Sequence, residues 1–225
     1  MKINNPLTPP VFKIRASALG QLMTQPKTKA DKDEGNLSQT AKSMLTLWYK
    51  EQLYSRRKPI ESKYMTKGIE CEDASIEMLN PEWVNNKEQF SNDYMTGEPD
   101  VITDDTIIDI KNSWDFTTFP LFAKQAKGEY EWQVLGYMWL CGKKKGEVVY
   151  TLMDTPEHLI NREYLKLNWN INKDVPESFA KDYLYQQLPE HLRIKRFNVE
   201  YDEDKIEQIK EKVGKAREFI SAIAL

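Results

Sequence analysis

The chain has 225 residues, 40% hydrophobic and 30% charged, which is enough for one sizeable domain with a buried core. A net charge of −3 argues against a passive basic coat for nucleic acid, and no apolar run approaches the roughly 20 residues of a membrane span. Cys71 and Cys141 make neither a disulfide framework nor a metal-ligand spacing, and Met1-Lys-Ile-Asn-Asn-Pro lacks the apolar stretch of a signal peptide, so the cytoplasm is the expected compartment.

In chain order, residues up to Pro10 read as irregular, and Ser17 offers an N-cap to a short helix ending near Met23. Residues 24–37 are polar without periodicity and read as a loop. Ser38 caps a helix to about Tyr54, and a second helix runs from about Glu61 to Leu79, stopping at Asn80-Pro81. Strands are expected near 87–91, 94–103 and 106–112, then helices near 117–127 and 129–141. A strand fits 146–153, another Tyr164–Trp169, a helix 175–187, a weakly alternating edge strand 192–200, and an amphipathic helix Asp202–Ala224. This order describes a mixed α/β chain in one domain, with a core at about 15–170 and a C-terminal strand and helix at about 190–225. The basic clusters Arg56-Arg57-Lys58, Lys63 with Lys67, and Lys143-Lys144-Lys145 are candidate DNA contacts, though solvated loops and helix ends look the same in sequence.

The stretch Met95 to Lys111 reads as strand, turn, strand, with Asp104-Asp105 in the turn. A two-residue loop pairs Thr103 with Thr106 and, counting outward, Asp100 with Asp109. Opposed side chains lie about 5 Å apart, and like charges there destabilise the pairing unless a cation stands between them. Because side chains alternate along a strand, Asp109 and Lys111 share one face while Ile108 and Ile110 take the other. On the helix 61–79, Met65, Ile69, Ile76 and Leu79 form one stripe at 100° per residue, and Glu72 falls inside it. A carboxylate on an apolar face is costly without a partner, so Glu72 is expected to reach the same site; Glu70 is its rival. Gln133 and Tyr137 share a face of a helix whose other faces are nearly all apolar. A satisfied core pair would give the same spacing.

These elements, in this order, resemble the PD-(D/E)xK nuclease superfamily, and within it the lambda-exonuclease or YqaJ-type viral recombinase branch, which is RecB-like. The matching pieces are Ala16-Ser17 with Gly20-Gln-Leu-Met23, Gly68-Ile-Glu-Cys-Glu72, Pro99-Asp100, Asp109-Ile-Lys111, and Tyr130-Glu-Trp-Gln133 through Tyr137 to Gly142. The resemblance implies a restriction-endonuclease-like core, a mixed central sheet flanked by helices, that hydrolyses DNA phosphodiesters with Mg2+, for which Mn2+ can substitute. It implies Asp100, Asp109 and the Ile110 carbonyl as metal ligands, with Glu72 completing the acidic cluster. Lys111 would hold the attacking water, Gln133 would orient Lys111 or the water, and Tyr137 would support that face. Ser17, with Arg15 or Lys13 in place of an absent arginine, would meet a 5′-phosphate, and Trp114 would stack on a frayed base. Three departures stand out: Pro10 replaces an upstream arginine, Glu98 a serine before Pro-Asp, and Thr117 a later arginine.

The activity implied is exonucleolytic resection of double-stranded DNA ends, 5′-to-3′, for phage-type recombination in a bacterial host. A single-strand annealing protein would be the partner and a homotrimer the assembly. An endonuclease of restriction or repair, or a silent DNA-end-binding module, would share the core. A four-cysteine iron–sulphur cluster is not expected, since two cysteines cannot supply it.

Overall fold

The computed structural model describes residues 10–59, 62–169 and 174–224. The expected irregular start and the expected first residue of the second helix, Glu61, lie outside them, apart from Pro10. The elements are β1 (Ile14–Arg15), α1 (Leu19–Leu22), α2 (Lys29–Asp33), α3 (Gln39–Leu53), α4 (Lys63–Leu79), β2 (Phe90–Ser91), β3 (Met95–Gly97), β4 (Val101–Ile102), β5 (Thr106–Asn112), α5 (Gly128–Cys141), β6 (Lys145–Thr151), α6 (Glu157–Leu167), α7 (Glu177–Lys181), β7 (Ile194–Glu200) and α8 (Glu203–Ile223).

The strands form two mixed sheets, β1-β3-β2 and β4-β5-β6-β7. In the larger sheet β5 runs parallel to β6, and β4 and β7 lie antiparallel at the two edges. Its two faces carry different cores. Ile107, Val148, Tyr150 and Phe197 join Val134, Leu135 and Met138 of α5. Val101, Ile108, Ile110 and Val149 join Ile76 of α4, with Leu79 and Trp83 packed against them. α8 closes the larger cluster through Ile206, Ile209, Val213, Ala216 and Ile220. Capping follows the residues: Ser38 Oγ accepts from Ala41 N and Asp202 Oδ1 from Lys205 N, each satisfying an orphan helix donor.

Several expectations are corrected. The strand 94–103 is broken at Glu98-Pro99-Asp100, because proline cannot donate to a ladder. That leaves β4 two residues long while β5 runs on past it. Residues 117–127 form turns: Asp115 Oδ1 accepts from Thr118 N and Thr117 Oγ1, an arrangement that competes with helix, and Pro120 interrupts the segment a few residues later. The stretch expected as a strand at Tyr164–Trp169 is instead the last turn of helix α6, to Leu167, and the turn that follows it, with Leu159 and Ile160 buried one turn earlier. The helix 175–187 shrinks to α7, and the loop 24–37 contains α2, capped by Thr28.

Candidate active site

The hairpin is paired as expected. Thr103 N donates to Thr106 O at 3.0 Å, and Val101 pairs with Ile108, so Asp100 stands opposite Asp109 one step beyond the end of β4. With no β4 residue left to pair, the Ile110 amide donates instead to Asp100 Oδ2 at 2.6 Å. Backbone N–H and C=O of one strand residue point to the same side, so the Ile110 carbonyl faces the same gap. The edge of β5 beyond β4 therefore brings together a carboxylate and the Ile110 carbonyl.

Asp109 is 0% exposed, and neither of its carboxylate oxygens has a hydrogen-bond partner. Lys111 Nζ lies 2.7 Å from Asp109 Oδ2 as an ion pair. Burial pushes both acids up; Asp109 adds to the effect on Asp100, which reaches about 7. Glu72 contributes in the same direction to each. Burial alone would lower the Lys111 ammonium, but Asp109 and Asp100 outweigh it and the net shift is upward. The two acids thus hold Lys111 charged. Its Nζ also sits 4.8 Å from the Tyr130 ring centre, a cation–π contact that sequence reasoning did not single out.

Gln133 Nε2 donates to Tyr137 Oη at 2.9 Å, and both are buried. Burial, then Asp109, raises Tyr137, so it remains a neutral hydroxyl. Tyr137 lies so close to β3 that a Cβ at Gly97 would stand 2.6 Å from its ring, which explains glycine there.

Glu72 is placed beside this cluster, but α4 is rotated from the sequence reading. Lys67, Cys71, Ser75 and Ile76 are buried, whereas Met65 and Ile69 are exposed, Ile69 by 68%. Glu72 is half-buried at the border, where its Oε1 accepts from Asn85 Nδ2 at 2.8 Å and from Lys87 Nζ at 3.1 Å. Glu70, the rival acid, pairs with His158 at 3.3 Å instead. No three His, Cys, Asp or Glu side chains converge as a ready cage among the described residues. The donors present still fit Mg2+, which needs only one or two carboxylates and keeps several waters. The buried Asp109 carboxylate, with Oδ1 unpartnered and a second carboxylate opposite, is the deficit a cation would fill.

Other candidates move. Trp114 is 2% exposed, edge-on to Tyr64 and Tyr183, with Lys63 Nζ 4.4 Å over its ring; it offers no free face to a base. Lys67 is wholly buried and donates to Trp114 O at 2.8 Å, so it is not a DNA contact. Lys144 and Lys145 pair with Glu203 and Asp105, and Lys143 Nζ donates to Asp104 O. Arg15 and Ser17 are exposed at the β1 edge, where Arg15 pairs with Thr96 of β3, the strand that leads to Glu98 and Asp100.

A mixed sheet that carries two opposed aspartates and a strand lysine, backed by a glutamine–tyrosine helix, defines the PD-(D/E)xK nuclease core. The chain is 30% identical to a phage-related exonuclease from Haemophilus somnus 129PT, with a TM-score of 0.80 over 94% of this chain and 95% of that one. It belongs to that phage-related exonuclease family, in the lambda-exonuclease-like branch of the superfamily. The alkaline exonuclease LHK-Exo from Laribacter hongkongensis shares the fold, at 15% identity and a TM-score of 0.60 over 93% of this chain and 88% of that one. Its complex with dAMP gives 17% and 0.62. No family model and no curated protein matches the chain.

Proposed function

We propose that this chain is a Mg2+-dependent deoxyribonuclease that removes nucleotides from duplex ends, resecting 5′-to-3′. One observation carries the reading: Asp109, fully buried, presents two carboxylate oxygens without hydrogen-bond partners directly opposite Asp100 and against Lys111. The 30% identical exonuclease supports the activity class.

Asp100, Asp109 and the Ile110 carbonyl would hold the cation, with Glu72 joining directly or through water. When bound, Mg2+ stabilises charge developing on phosphate oxygens and lowers the pKa of coordinated water. Lys111, kept protonated by the two acids, acts as an electrostatic clamp on the nucleophile or the scissile phosphate. Gln133 and Tyr137 form the wall behind this face and present neutral donors to it. Ser17 and Arg15 would meet a terminal phosphate and Glu98 would oppose it; the exposure of Ser17 and Arg15 and the pairing of Arg15 with Thr96 of β3 support that reading. The role in phage-type recombination draws support from the phage-related relative. The homotrimer, the annealing partner and action as one nuclease unit rest on the sequence resemblance alone.

End-labelled linear duplexes, with and without 5′-phosphate, should be incubated with Mg2+ beside covalently closed circles. The expected result is release of a labelled mononucleotide from 5′-labelled ends with circles intact. Nicked or cut circles would select the endonuclease reading, and early release of 3′ label would reverse the polarity.

A further inference from the structure

The loop between α4 and β2 contains two successive asparagines whose bonds run to the two acids outside β5. Asn85 Nδ2 donates to Glu72 Oε1 at 2.8 Å and to Asp73 Oδ1 at 2.5 Å. Asn86 N donates to Asp100 O at 2.8 Å, and Asn86 Nδ2 to Pro99 O at 2.9 Å. Trp83 seats the same loop on the core cluster of Ile76, Val101 and Ile108. The loop thus spans from the helix carboxylate to the backbone that carries Asp100, which no strand or helix joins directly.

The orientation of Asn85 has a cost. Its Oδ1 is buried and has no hydrogen-bond partner. Leaving such an acceptor unpaired is destabilising. Local stability is better served by a residue that satisfies both ends, or by an apolar one. What the amide gains is a fixed Glu72 rotamer: a glutamate on a helix surface otherwise samples several.

We propose that Asn85 is a positioning residue for Glu72, and that Asn86 ties the same loop to Asp100 so that the spacing of the two acids is set through residues 85–86. The proposal rests on the reading of Glu72 as a member of the cation site. Outer-shell partners of metal ligands typically control about 10–100-fold in affinity.

The test is a double-mutant cycle on Mn2+ affinity, read by electron paramagnetic resonance on the full chain without DNA. It uses the unaltered protein, Asn85→Ala, Glu72→Gln and the double variant. Asn85→Ala should weaken Mn2+ binding about 10-fold alone and less than about twofold when Glu72 is already glutamine. Equal losses in both backgrounds, or no loss alone, would overturn the proposal. Unchanged affinity in Glu72→Gln would remove Glu72 from the site, and absence of Mn2+ binding to the unaltered chain would remove the site; either takes the positioning role with it. Asn85→Ser, which keeps a donor, is run through the same cycle so that a folding defect in the alanine variant cannot mask the outcome; it should retain part of the affinity.

Discussion

Removing Asp109 should act in opposite directions on folding and on catalysis. The side chain is wholly buried, and burial holds its carboxyl up despite the ion pair with Lys111, so Asp109→Ala relieves a desolvation cost. We expect a higher Tm in chelator at pH 8 and loss of end cleavage by more than about 100-fold, beyond the range typical of outer-shell changes. A lowered Tm with cleavage retained would contradict both halves. The neighbouring acid sets the pH behaviour. Asp100 is pushed up to about 7 from an ordinary 3.8 by burial and then by Asp109. Between those values the folded chain holds a proton that the unfolded chain has released. Its contribution to stability is full below 3.8 and is lost as pH rises through about 7. A cation competes with that proton, so the rise in Tm on adding Mg2+ should be larger at pH 8 than at pH 6. Equal increments at both would argue that Asp100 does not bind it. Lys111→Ala should lower kcat more than DNA affinity measured in Ca2+; a drop in affinity alone would make Lys111 a phosphate contact.

At the scale of elements, the hairpin was legible because β-branched runs flank a turn and leave one register. The path of α4 was not. Its apolar stripe is real, but it is covered only in its second half, by Val101, Ile108 and Ile110, while Met65 and Ile69 face outward. The first half buries Lys67, which no periodicity rule selects, because the Trp114 carbonyl that satisfies it is far along the chain. That lysine makes a separate prediction. Burial lowers it to about 8. Below pH 8 the folded chain carries the full cost of a buried ammonium, and stability rises as pH climbs from 8 toward 10.5, where the unfolded chain alone still binds the proton. Lys67→Met should therefore raise Tm at pH 7, with Thr155 Oγ1 still donating to the Trp114 carbonyl, and the gain should shrink by pH 10. A Tm loss at pH 7 would mean the hydrogen bond outweighs the desolvation. The turn at 115–120 was misread for a related reason: Asp115 bonds its own neighbours, a local option invisible to a helical period.

Across the whole molecule, most of the longer elements could be read from the chain by their periodicity, while helix α6 was not, its place being taken by an expected strand at Tyr164–Trp169. The division into two sheets could not, because it depends on one proline interrupting the 94–103 run and on β1 reaching β3 from eighty residues away. Asn85 and Asn86 escaped notice for the same cause: isolated asparagines in a loop carry no pattern until the elements on either side are assembled. The C-terminal strand and helix, β7 and α8, are bound into the fold by seven residue pairs between β6 and β7 and by the buried face of α8. Truncation before Ile194 should abolish cooperative unfolding, as followed by circular dichroism; a truncated chain with a sharp transition would show that residues 10–193 fold alone.

The short β4 has one more result. Beyond its end, the Ile110 amide is shielded from water by a single side-chain carboxylate rather than by a neighbouring strand. Its nuclear magnetic resonance frequency should shift as that carboxylate gains or loses its proton. One backbone proton thereby becomes a native reporter, readable without labels or substrate, of whether the cleft holds a proton or a cation.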